Sequence, residues 1–135
     1  MSSTRTVEYG GLYFEVSKYY GSAVFIKAYG ELVQLAMSER CLSYRAMARR
    51  CDLPHVGNHM QKVMGEILRD IAIFCFIKDQ PILSTLIVRI DTRLPGNGYW
   101  SMLEEILGLD CDDSDMHQSI WDDQYTLIVE YWSCS

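Results

Sequence analysis

The strongest constraint in this chain is a helical pattern over residues 56–77 that changes character half-way. Val56, Met60, Val63, Met64 and Ile67 recur at helical spacing, with Asn58, His59, Gln61 and Lys62 turned the other way. From Ile71 to Ile77 the residues are apolar almost all round, which is the pattern of a helix buried on every side. The remaining residues must supply its cover. A chain of 135 residues is of one-domain length, and it hides roughly two thirds of its unfolded surface, enough for a core without covalent staples.

The flanking segments read as follows. Gly10-Gly11 lies between Val7-Glu8-Tyr9 and Leu12-Tyr13-Phe14, a hairpin signal that competes with a direct run into a helix. From Val16 the spacing turns helical and holds to about Ser38. Ser43 is placed to cap a short helix bearing Tyr44, Met47, Ala48 and Cys51 inward and Arg45, Arg49 and Arg50 outward. Asp52-Leu53-Pro54 stops it. Ile82 to Ile90 is rich in β-branched and apolar residues and predicts a strand. Pro95-Gly96-Asn97-Gly98 predicts a turn, and Tyr99-Trp100 a return strand. Ser101 and Glu104 have capping-box spacing for a short helix. Residues 116–131 read as a helix, although Tyr125, Leu127, Val129 and Tyr131 also alternate as in a strand.

These elements predict an α+β fold: one mainly helical domain over residues 1–135, with a winged helix-turn-helix-like core and a small antiparallel hairpin. Residues 1–42 form its N-terminal hairpin or helix, 43–100 the winged-helix-like core, and 101–135 an acidic helical segment. No apolar run approaches the ~20 residues of a membrane span. The polar Met1–Thr6 has no apolar signal core, which argues against export. Five cysteines, an odd number without C-x-x-C spacing, suit reduced thiols in a cytoplasmic protein. Cys51, His55 and His59 share an i, i+4, i+8 spacing, but Pro54 breaks that register, so no metal site is expected there.

Charge is unevenly distributed. The net charge is −6, yet residues 38–70 carry six basic and four acidic groups, while residues 101–135 carry nine acidic groups and no Lys or Arg. In a helix-turn-helix the second helix presents polar side chains to the major groove. That places His55, Asn58, His59, Gln61 and Lys62 at base edges, Arg45, Arg49 and Arg50 on phosphate, and Arg89 and Arg93 on the wing. Duplex DNA is then the partner. The small positive balance and the acidic C-terminal third oppose it, because duplex affinity comes largely from phosphate neutralisation.

Leu42-Ser43-Tyr44-Arg45-Ala46-Met47-Ala48, Gln80-Pro81-Ile82-Leu83-Ser84-Thr85-Leu86-Ile87-Val88 and Leu94-Pro95-Gly96-Asn97-Gly98-Tyr99-Trp100, with Trp121 and Gln124 as a late Trp-x-x-Gln, resemble small winged-helix-like proteins of phages and mobile elements. The resemblance covers residues 31–131 and implies a fold and a mobile-element origin rather than an activity. The element order is also similar to the DNA-binding half of alkylguanine alkyltransferases. The Pro-Cys-His-Arg site of that family, or its Trp-substituted variant, is missing here, so alkyl transfer is not expected.

The acidic third suggests a different partner. Glu104, Glu105, Asp110, Asp112, Asp113, Asp115, Asp122 and Asp123 can imitate a row of phosphates and dock on a basic surface of another protein, of host or phage. Asp110 to Asp115 fails the EF-hand requirement, having Asp115 where Gly and Trp121 where Glu is needed. No phosphate-binding loop or nucleophile–base set emerges. No catalytic residues, cofactor or metal are therefore expected. The leading expectation is a binding protein that inhibits a host defence or nucleic-acid-processing protein through its acidic face, with DNA binding as the alternative. Tyr9, Tyr13, Tyr19, Tyr20 and Tyr29 also suit a homodimer or partner interface.

Overall fold

A computed structural model describes residues 5–53 and 57–133. Pro54, His55 and Val56 lie outside the described residues, and so does Cys134. The chain begins with a hairpin of β1 (Arg5–Tyr9) and β2 (Leu12–Val16), paired antiparallel with Tyr9 opposite Leu12. Its two-residue turn needs positive φ at both positions, and Gly10 and Gly11 supply +59° and +85°. The strand continues to Val16, so the first helix starts later than its periodicity suggests. Gly21 turns the chain at φ +77°, and Ser22 caps α1 (Ala23–Met37) by accepting the Phe25 N–H.

Ser43 caps α2 (Tyr44–Arg50) as expected, its hydroxyl accepting the Ala46 N–H at 3.1 Å. The long helix is α3 (Gly57–Ile77). Met64, Ile67, Ile71, Ala72, Ile73 and Cys75 along it are fully buried. The aromatic residues of its last turns are clad by other rings. Phe74 meets Phe25 and Tyr29 edge-on, and Phe76 meets Tyr9 and Phe14. Three of the N-terminal tyrosines, Tyr19, Tyr20 and Tyr29, are half-buried against the core, whereas Tyr13 is 72% exposed.

The segment after α3 departs from expectation. Residues 82–90 do not form a strand hairpin with residues 99–100. Leu83–Leu86 is a buried 3-10 turn, and only β4 (Ile87–Val88) is extended. It pairs in parallel with β3 (Leu42–Ser43). The reason is burial on all sides, because an apolar run of that kind carries no periodicity to separate strand from turn. Side-chain bonds fix the turn instead. Ser84 Oγ donates to the Leu68 carbonyl at 2.6 Å, and Thr85 Oγ1 shares a 2.6 Å bond with the Tyr99 hydroxyl.

Tyr99-Trp100 is helical. It belongs to α4 (Asn97–Leu107), which begins at Gly96 and ends at Gly108 with φ +71°. Ser101 therefore sits inside the helix and caps nothing, and the Glu104 carboxylate accepts the Cys111 N–H instead. After an acidic loop and a 3-10 turn at Ser114–Met116, α5 (His117–Trp132) closes the chain as a helix. The fold is thus α+β and mainly helical, with its small antiparallel hairpin at the N-terminal end. Among the described residues no helix is long and apolar enough to cross a membrane.

Candidate functional site

The motif residues of the sequence meet in one set of joints. The Tyr44 hydroxyl accepts the Gly96 N–H at 2.8 Å, tying the first turn of α2 to the start of α4. The Trp121 indole N–H donates to the Thr85 carbonyl at 2.9 Å, and its ring stacks on Tyr125. Burial pushes the Tyr44 and Tyr99 phenols up, so both serve as neutral hydroxyls. The described cysteines are free thiols. Burial pushes Cys51 up to about 11 and Cys75 up to about 12, which keeps their thiolates out of reach near neutral pH.

Two surfaces carry the expected binding residues. The first surrounds an open cleft of about 800 Å³ between α3 and α4. Gly65 on α3 and Gly98 on α4 line it, and a Cβ built on either meets nothing within 4 Å. Met60, Leu68 and Met102 make it apolar, and Gln61, Lys62 and Arg89 line it from the set expected at DNA. Glu66 and Glu105 line it too, so the cleft is mixed in charge. Arg69 grips Glu105 with both guanidinium nitrogens, at 2.5 and 2.9 Å. That contact holds the Glu105 carboxyl below its usual range.

The rest of the DNA set is dispersed. Arg45, Arg49, Asn58 and His59 are exposed. Arg50 pairs with Glu31 at 3.1 Å, and Arg89 with Asp91 at 2.9 Å. Arg93 lies in the loop at φ +60°, and His55 is outside the described residues. The structure therefore brings Gln61, Lys62 and Arg89 to one cleft but neutralises two of the arginines internally.

The second surface is the acidic third. Glu105 leaves that set, because on α4 it points toward Arg69. Glu104, Asp110 and Asp112 converge, with one carboxylate oxygen of each within 4.8 Å of the others. The Glu104 charge, then that of Asp110, pushes the Asp112 carboxyl above its ordinary value. Carboxylates of the loop and of Glu104 accept backbone N–H groups, which holds them in place. Glu104 accepts Cys111 N–H at 2.9 Å, Asp110 accepts Asp112 N–H at 3.1 Å, and Asp113 accepts Asp115 N–H at 2.9 Å. Asp122 and Asp123 are exposed on α5, and Asp122 accepts the Gln118 amide at 2.9 Å. Among the described residues, none of the carboxylates from Glu104 to Asp123 other than Glu105 has a Lys or Arg within ion-pair distance.

Sequence reasoning passed over Gly65, and it took Gly98 only as part of a turn and Gln124 only as part of a Trp-x-x-Gln resemblance, not as residues lining a surface. A glycine inside a strong helical pattern was the available signal for Gly65. Gln124 is buried at 8% exposure, with no hydrogen-bond partner for its amide among the described residues, and its sequence trace is the Trp121-x-x-Gln124 spacing. No family model, curated protein or solved structure matches the chain.

Proposed function

We propose that this protein acts by binding rather than by catalysis, and that its acidic C-terminal third docks on a basic surface of another protein. The observation that carries this is the uncompensated charge from Glu104 to Asp123, where among the described residues only Glu105 has a cation within ion-pair distance. Like charges held together by backbone geometry raise the Asp112 pKa, and a cationic partner relieves that repulsion. Complementary charge of this kind selects partners and speeds encounter. A basic nucleic-acid-binding channel, in a host defence or nucleic-acid-processing protein, has the required chemistry. Inhibition follows if docking covers the channel.

The alternative, a winged-helix DNA-binding protein, draws support from Gln61, Lys62 and Arg89 around the α3–α4 cleft. Glu66 and Glu105 in the same cleft weaken it. Fluorescence polarisation separates the two. An oligoarginine peptide should bind in a salt-dependent way and lose binding on reversal of Asp112, Asp113 and Asp115 to Lys. Reversal of the exposed Glu8, Glu15 and Glu39 should leave it bound. Mixed-sequence duplex that binds steeply with low salt, and is lost on Arg49→Ala with Lys62→Ala, overturns the acidic-face reading.

A further inference from the structure

We infer that an open recess beside α5 is an anchor pocket for one arginine side chain of a protein partner. The proposal rests on the reading that the partner is basic, but it concerns a different patch from the Asp110–Asp115 loop. The recess has a volume of about 460 Å³ and lies where the loop after α3 meets the end of α4 and the second half of α5.

Three observations define its occupant. First, Gln124 lines the recess. It is more than nine-tenths buried, yet its carboxamide bonds to nothing among the described residues. Its amide atoms are not sealed off from solvent, so a ligand seated in the recess that Gln124 lines can reach them. The carboxamide has no protein partner among the described residues, so its oxygen is available to accept from a ligand's N–H.

Second, the recess has one sign of charge. Asp79 and Glu130 line it and no Lys or Arg does. Neither carboxylate has a side-chain hydrogen bond or ion pair among the described residues. The adjacent cation is engaged elsewhere, since Lys78 Nζ sits 5.8 Å over the Phe74 ring.

Third, the walls are apolar. Leu107, Leu127 and Tyr131 line the recess, and the last two are about half exposed, at 49% and 50%. A ligand with an apolar stem and a planar head of several donors fits this combination. The stem of an arginine covers Leu127 and Leu107. Its guanidinium offers five N–H donors to two carboxylates and an amide oxygen, and its face can lie on the Tyr131 ring.

The test is titration of ¹⁵N-labelled protein with N-acetyl-arginine amide, followed through the Gln124 side-chain amide and the Leu127 and Tyr131 backbone signals. The neutral citrulline analogue is the control. The expected result is a saturable shift at these three residues that citrulline does not produce. Glu130→Gln, an exposed position that leaves the fold alone, should weaken binding about tenfold, the loss of one charge-assisted hydrogen bond. Gln124→Leu should weaken it similarly. Equal shifts with citrulline, shifts confined to residues 110–115, or no effect of Glu130→Gln overturn the anchor pocket. Reversal of Asp112, Asp113 and Asp115 to Lys tells the two readings apart. If it leaves both the recess shifts and oligoarginine binding intact, the acidic-loop reading falls and the pocket stands. If it removes oligoarginine binding while the recess gives no arginine-specific shift, the pocket falls and the acidic-loop reading stands.

Discussion

The Asp70 carboxylate is buried at 1% exposure and accepts two hydrogen bonds from one residue, Ser17, through its backbone N–H at 3.0 Å and its hydroxyl at 2.5 Å. Ser17 Oγ in turn accepts the Tyr19 N–H at 3.1 Å. The pair fastens the end of the N-terminal hairpin to the middle of α3.

Burial outweighs the two Ser17 bonds and pushes the Asp70 pKa up. A carboxyl whose folded pKa lies above its unfolded value contributes stability that is fully present below the unfolded pKa and is lost as pH rises through the folded pKa. Urea unfolding of wild type and Asp70→Asn, from about pH 4 upward, should therefore show the wild-type advantage shrinking as pH rises. A constant or growing advantage contradicts this. Asp70→Ala should cost about 1–3 kcal/mol, because both Ser17 donors lose their acceptor.

Tyr44→Phe removes the acceptor of the Gly96 N–H at the start of α4. The loss should be about 1 kcal/mol, with helix content by circular dichroism unchanged. Thr85→Val should cost more, about 1–3 kcal/mol, because the Tyr99 hydroxyl is deeply buried and is left without its partner. Thermal unfolding of the two variants checks the order.

The Arg69–Glu105 pair has good fork geometry, but its side chains are 34% and 47% exposed. Solvent screening then limits Glu105→Gln to about 0.5 kcal/mol or less. Because the folded pKa of Glu105 is lowered, that contribution is present above the ordinary carboxylate range and disappears as pH falls through the folded value. Chemical denaturation at low and high salt should show the difference fade as salt rises.

At the hairpin, Gly11→Val should destabilise by about 1–2 kcal/mol, since a β-branched residue resists a φ of +85°. Gly10→Asn should be nearly neutral, because Asn tolerates the left-handed region. Equal losses at both positions contradict the turn geometry.

The parts of this fold legible in the sequence were those with local causes. The Gly10-Gly11 turn, the Ser43 cap and the two-faced periodicity of α3 each depend on residues within a few positions of one another, and each forms as read. Residues 82–100 were not legible. A strand needs a partner strand, and whether Ile82–Val88 has one depends on what lies beside it in space. Among the helices that bury it, only Ile87–Val88 finds a strand partner, Leu42–Ser43, and Leu83–Leu86 instead turns and bonds through Ser84 to Leu68 and through Thr85 to Tyr99. That pairing leaves Tyr99 in a helix and moves the start of α4 to Asn97, ahead of the Ser101 cap the sequence suggested.

The same division holds for the binding surfaces. Composition by itself determined that the last third is acidic, because charge is a property of each residue. Only tertiary packing decided which of those charges remain available. It set α4 against α3, so that Glu105 meets Arg69 and is neutralised. It also turned the buried Gln124 and the exposed Glu130 toward one recess, since proximity between α5 and the loop after α3 is created by the fold and has no trace in local sequence.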